Sequence, residues 1–304
     1  MEIKAEMKLA ALFFIILICL YCSNPADNVS PSESSLYNYL NNSAYTDPGE
    51  YAYLYDGLPD SYKELCVLIK RQLIHPLEAR EEGRTLPGGQ TSEDQIFPTV
   101  KAMLEGLLQR DPEGLNVNRK PEDKLVVACY HHAMLLASIL RYKNIPVRIR
   151  AGFSRLFEKE FGVRFGHTIC EVWDKKKSLW ILVDPDRQMV DFSRRKFDFA
   201  PQAWEHLQKR TFDIQKYTSS AGRGDSAVLH ILFQDFSCVI GEEKPYWIEP
   251  PILDPMITDS NSLSKEKLDL IDRIAGLLIQ SEVDVNELDQ IRKENDYLQV
   301  KLPD

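Results

Sequence analysis

The chain has 304 residues, 44% of them hydrophobic and 27% charged, with a net charge of −9 at pH 7. That is ordinary globular composition, long enough for one large domain or two small ones. An acidic chain without a basic stripe is a poor nucleic-acid binder, and no period of 20–50 residues repeats, which excludes a solenoid.

Lys4 and Lys8 precede an unbroken apolar run from Leu9 to Tyr21. The run is shorter than the roughly 20 residues that span a bilayer. It fits the apolar core of a signal peptide over residues 1–21. Cys22 closes the run and is followed by Ser23-Asn24-Pro25, so it is the expected site of lipid attachment in an exported bacterial lipoprotein. Tyr21 stands where such signals prefer a small residue, and plain cleavage or an uncleaved anchor are the alternatives. Residues 22–50 are rich in Ser, Asn, Asp and Pro, and no Lys or Arg occurs between Lys8 and Lys63. Such a segment buries too little apolar surface to offset its ordering entropy and is expected to be a flexible tether. Contact with a membrane is expected through the N-terminus only. A domain over 51–260 and a helical segment over 261–304 complete the division.

Ser61 and Glu64 form a capping-box pattern, and Leu65, Leu68, Ile69 and Leu73 mark the helix behind it. Gly83, Pro87, Gly88 and Gly89 mark a loop. A second helix is predicted with Ile96, Val100, Met103, Leu104 and Leu107 on one face, ended by Asp111-Pro112. A third runs from about Cys129 to Tyr142, with Asn144 and Pro146 as its stop. Strands follow in PVRIRAGF, HTICEVW and WILVD, the last two joined by a polar turn at 174–178. AVLHILF, from Ala227, reads as either a strand or a buried helix. From Ser264 onward two helices are predicted, one on Leu268, Ile271, Ala275 and Leu278, the other on Val285, Leu288 and Ile291. Helices first, antiparallel strands in the middle and helices last make the α+β class.

Three residues carry chemistry: Cys129, His167 and Asp184. A thiol is a strong nucleophile only as thiolate, which an imidazole can maintain. A carboxylate on the far ring nitrogen orients that imidazole. Cys129 opens its helix, where partial positive charge and free N–H groups favour thiolate and can hold an oxyanion. In the hairpin, a two-residue loop puts His167 opposite Asp184, and a four-residue loop leaves them diagonal on one face. An odd loop would separate them. Cys66, Cys170 and Cys238 have apolar neighbours and are expected to be buried free thiols. His131 and His132 are expected to be a solvated or packing pair, Arg223-Gly224-Asp225 a surface turn, and Trp173 with Trp180 the core of the hairpin. Asp184, Asp186 and Asp191 are poorly spaced for calcium, and neither a metal nor a cofactor is expected.

The segment CYHHAMLLASILRYKNIPVRIRAG resembles the nucleophile helix and following strand of transglutaminase-like proteins. HTICEVW resembles their histidine strand and WILVDPD their Asp-Pro strand. The resemblance covers about residues 60–200. It implies a papain-like α+β core, with Cys129 as nucleophile, His167 as base and Asp184 as orienting residue. It further implies a cysteine-dependent amidase, peptidase or acyltransferase acting on a peptide or other amide. The sequence departs from the family pattern at Ala128, Thr168 and Asp186, none of which is a reactive group. An inactive scaffold with the same fold is the alternative, and the oligomeric state is left open.

Overall fold

Residues 33–253 and 260–300 are described by a computed structural model. Cys22 and the apolar run of the predicted signal peptide lie outside them. The α-helices and strands, in chain order, are α1 (Glu33–Tyr37), α2 (Tyr62–Gln72), β1 (Leu73–Ile74), α3 (Pro76–Glu81), α4 (Val100–Arg110), β2 (Leu125–Val126), α5 (Cys129–Tyr142), β3 (Val147–Ser154), α6 (Glu158–Phe161), β4 (Arg164–Asp174), β5 (Leu179–Asp184), β6 (Met189–Val190), β7 (Phe197–Phe199), α7 (Ala200–Lys209), β8 (Tyr217–Ser219), β9 (Gly222–Arg223), α8 (Asp225–Val239), α9 (Lys265–Leu278) and α10 (Val285–Glu294). The chain is α+β.

Local signals account for most element ends. Ser61 accepts the Glu64 N–H at 3.5 Å, Ser264 that of Lys267 at 3.3 Å and Asp284 that of Glu287 at 2.9 Å, as N-caps do. Asn144 takes the left-handed conformation after α5. The second predicted helix starts later than its apolar spacing suggested. Ile96 is 52% exposed and lies outside α4. Pro98 disfavours helical backbone at Phe97, and Thr99 caps the helix by accepting the Ala102 N–H at 3.1 Å. AVLHILF is helical, within the 15-residue α8, and Ala227–Phe236 is buried on every side. Burial all round removes the 3.6-residue period that would have distinguished helix from strand.

The sheet order is β6-β5-β4-β3-β7, antiparallel throughout, and β8 joins β4 in parallel. Alternate residues of β3 anchor two cores. Val147 and Ile149 pack with α2, α4 and α5, and Ala151 and Phe153 pack with α7, α8, α9 and α10. Arg148 and Arg150, between them, are as buried as their apolar neighbours. Glu171 accepts from Arg148 at 2.7 Å, Arg150 at 2.8 Å and Arg194 at 2.6 Å, and Asp235 of α8 takes the other edge of Arg150 at 2.9 Å. Burial raises the Glu171 carboxyl's affinity for a proton, but the three guanidinium groups outweigh it and hold its pKa far below the carboxylate range.

The expected tether over 22–50 is too long at its C-terminal end. Tyr39 is 4% exposed and meets Trp180 edge-on at 5.4 Å, with Arg148 over both rings. Thr46 is fully buried, donates to Glu243 at 2.8 Å and accepts from Arg141 at 2.9 Å. The aromatic residues scattered among the polar ones provide the apolar area that average composition concealed.

Candidate active site

Cys129 is the first residue of α5, and its position is set by a short parallel ladder. Leu73 pairs with Leu125 and Ile74 with Val126, and the Val127 N–H donates to Ile74 at 3.0 Å. Ala128 is the N-cap residue and supplies no side-chain cap. Its own N–H donates instead to Asp94 Oδ1 at 2.8 Å. Tyr246 donates to Asp94 Oδ2 at 2.7 Å. The Cys129 N–H, the first of α5, has no acceptor within the helix.

His167 on β4 and Asp184 at the end of β5 meet across the hairpin. Asp174 pairs with Leu179 and Cys170 with Val183. The loop is therefore the four-residue one, 175–178, and His167 lies diagonal to Asp184. The lysine turn has neither Gly nor Asn for a tight primed turn, which favours this longer loop. His167 Nε2 donates to Asp184 Oδ2 at 2.7 Å, and the Arg187 N–H donates to Asp184 Oδ1 at 3.0 Å. With Nε2 on the carboxylate, the His167 Nδ1 is left for Cys129, and the thiol and the ring interact strongly enough to shift each other's proton affinity. The structure thus brings together all three of the residues singled out from the sequence.

The electrostatics favour an ion pair. Burial pushes the Cys129 thiol up, but His167, by charge and by hydrogen bond, and His75 bring it down to about 6. Burial works against the His167 imidazolium, yet the Asp184 carboxylate and the Cys129 sulfur raise its pKa well above that of free imidazole. The other described cysteines are free and buried. Burial pushes Cys66 up to about 12 and raises Cys170 and Cys238 well above the ordinary thiol.

Four further groups around the nucleophile were not linked to it by sequence reasoning. His75 follows β1, caps α3 by accepting the Leu77 N–H on Nδ1 at 3.2 Å, and lies near enough to the Cys129 thiol to help lower its pKa. Asp94 holds the start of α5. Half-buried Lys70 and buried Asp186 pair at 2.6 Å. Nothing in the local sequence of residue 75 or 94 links it to residue 129; the β1–β2 ladder and the Asp94–Ala128 bond create those contacts. His131 and His132 are both fully buried, so they pack and are not solvated. His131 stacks on Trp247 at 6.1 Å and lies 3.2 Å from Asp94. His132 Nδ1 donates to the Ala128 carbonyl at 3.1 Å, and burial lowers its pKa to about 4, against the pull of Asp186. The three aspartates considered for calcium serve different cations: Asp184 faces His167, Asp186 Lys70, and Asp191 Lys177. Among the described residues no cluster of His, Cys, Asp or Glu has the arrangement of a metal site.

The chain matches no family model, no curated protein and no solved structure. The chemistry therefore rests on the geometry. A thiolate, an imidazolium held by a carboxylate, and open N–H groups at a helix end together supply a nucleophile, a proton carrier and a place for negative charge.

Proposed function

We propose that the chain is a thiol acyl-transfer enzyme of the transglutaminase-like kind, with a papain-like core, acting on amides. The Cys129 sulfur forms a bond to the substrate carbonyl carbon, and the carbonyl π electrons move onto oxygen. As the tetrahedral intermediate collapses, the C–N bond breaks and His167 gives its proton to the departing amine, leaving a thioester. Water, deprotonated by His167, then attacks the thioester carbonyl and releases the acid and the Cys129 thiolate. An amine in place of water gives cross-linking; hydrolysis is favoured because water is always present.

The observation that carries this reading is the chain of contacts Asp184–His167–Cys129 at the start of α5. The order helix-borne cysteine, histidine strand, aspartate strand supports the family assignment. The test is selective labelling. At pH 7, iodoacetamide should modify Cys129 faster than Cys66, Cys170 or Cys238, because only Cys129 has helix-end and imidazole activation. Equal labelling of the four in the folded protein overturns the proposal.

We further propose an exported protein held to the membrane by lipid on Cys22. Replacing Cys22 with Ala should move the protein from the membrane fraction to the soluble one. Unchanged fractionation removes lipid attachment from the proposal.

A further inference from the structure

His75 is a second imidazole at the nucleophile, and the proposed reaction does not use it. Three features define it. The parallel pairing of Leu73 with Leu125 and of Ile74 with Val126, extended by the Val127 N–H to the Ile74 carbonyl, carries the chain at His75 alongside the chain at Cys129. The ring's Nδ1 is occupied, accepting the Leu77 N–H at 3.2 Å as the cap of α3. The ring is half-buried and close enough to the Cys129 sulfur to help lower the thiol's pKa. A neutral imidazole that accepts at Nδ1 carries its proton on Nε2, so the nitrogen left to face Cys129 is a donor. It cannot take the thiol proton. His167, whose Nε2 is tied to Asp184, is the ring placed to do that.

We infer that His75 Nε2–H is a catalytic hydrogen-bond donor, which together with the Cys129 backbone N–H holds the oxyanion of the tetrahedral intermediate. In the resting site the same N–H faces the sulfur. When the sulfur bonds to carbon it loses its negative charge, and the charge appears on the carbonyl oxygen, next to the same donor. The backbone N–H of Cys129 is the first of the helix and has no intrahelical partner. Two donors converging from β1 and α5 give the developing charge a fixed dipole on each side. The Leu77 N–H then has a role in orientation, since it holds the His75 ring in the tautomer that donates.

This inference rests on the proposed function, and the test separates the two. Two reactions of Cys129 are compared in the full chain, with Cys129→Ala subtracted as blank, each at a pH where the thiolate is fully formed. Alkylation by iodoacetamide displaces iodide from carbon and develops no oxyanion. Acylation by p-nitrophenyl acetate passes through one. His75→Asn keeps an oxygen that caps α3, because Asn is a preferred N-cap, but is too short to offer a donor at the sulfur. It should lose on the order of 10²-fold in acylation, with alkylation changed by less than about threefold. His75→Gln restores a long N–H donor and should recover at least about tenfold of the acylation lost in His75→Asn. Parallel changes in the two reactions, or unchanged acylation in His75→Asn, overturn the role of His75 and leave the nucleophile in place. Failure of the unmodified protein to acylate at Cys129 overturns the thiol-enzyme reading and this inference with it.

Discussion

Asp94 accepts the backbone N–H of Ala128 through Oδ1 at 2.8 Å, from 34 residues upstream. The start of α5 is thus fastened through its N-cap residue by a carboxylate from another segment. Asp94→Ala should therefore loosen the first turn. The expected cost is about 1–3 kcal/mol, that of a buried N–H left without its partner, read by thermal or urea unfolding. Cys129 alkylation at pH 7 should slow at the same time. A stability loss with unchanged Cys129 reactivity would show that the fastening is structural only.

The rate of Cys129 alkylation should rise with pH through a midpoint near 6, the value to which His167 and His75 bring the thiol. An ordinary thiol rises near 8.5. His167→Ala removes the principal partner that lowers the pKa and should move the midpoint upward by more than one unit, since burial alone pushes the thiol up. A midpoint above 8 in the unmodified protein would mean that no thiolate–imidazolium pair forms.

Asp184→Asn keeps the size of the side chain but replaces an acceptor with a group that can present its amide to His167 Nε2 and stabilise the wrong tautomer. Acylation should fall by about 10³–10⁴-fold, with far-UV circular dichroism unchanged. Asp184→Ala should be as inactive and less stable, because the Arg187 N–H that donates to Oδ1 at 3.0 Å loses its partner.

Glu171→Gln removes the one charge that Arg148, Arg150 and Arg194 share. Stability should drop by about 3–5 kcal/mol, the usual cost of leaving buried charge uncompensated. The pH dependence has a definite sign. The folded pKa of Glu171 lies below that of the unfolded chain, so its contribution is complete above the unfolded value, about 4.3. It is lost as pH falls below that value toward the folded one. Urea midpoints between pH 7 and pH 3 should therefore fall more steeply in the unmodified protein than in Glu171→Gln.

The proposed triad was legible because each member sits in a local context that shows in one dimension. A periodic apolar run begins at Cys129, and the two strands around the lysine turn leave only a choice of even or odd loop. The helices that open with Ser or Asp caps were legible for the same reason. What was hidden depends on contacts between distant segments. His75 and Asp94 approach the nucleophile through a two-residue ladder and a single carboxylate. Arg148 and Arg150 are buried although charged, because Glu171 and Asp235 neutralise them. Ile96 kept the helical spacing but fell on the wrong side of Pro98, and α8 had too many apolar faces to show any period at all.

The close packing of Tyr39 against Trp180 also bears on distance. If Cys22 is the point of attachment, only the residues between 22 and 39 separate the folded body from the bilayer. Glu33–Tyr37 is helical, so the span from 22 to 33 reaches at most about 40 Å. The proposed active site would then stay within that reach, plus the width of the folded body, of the lipid surface. Its substrates would have to be found in that thin layer, on neighbouring envelope proteins or on whatever polymer lies against the membrane.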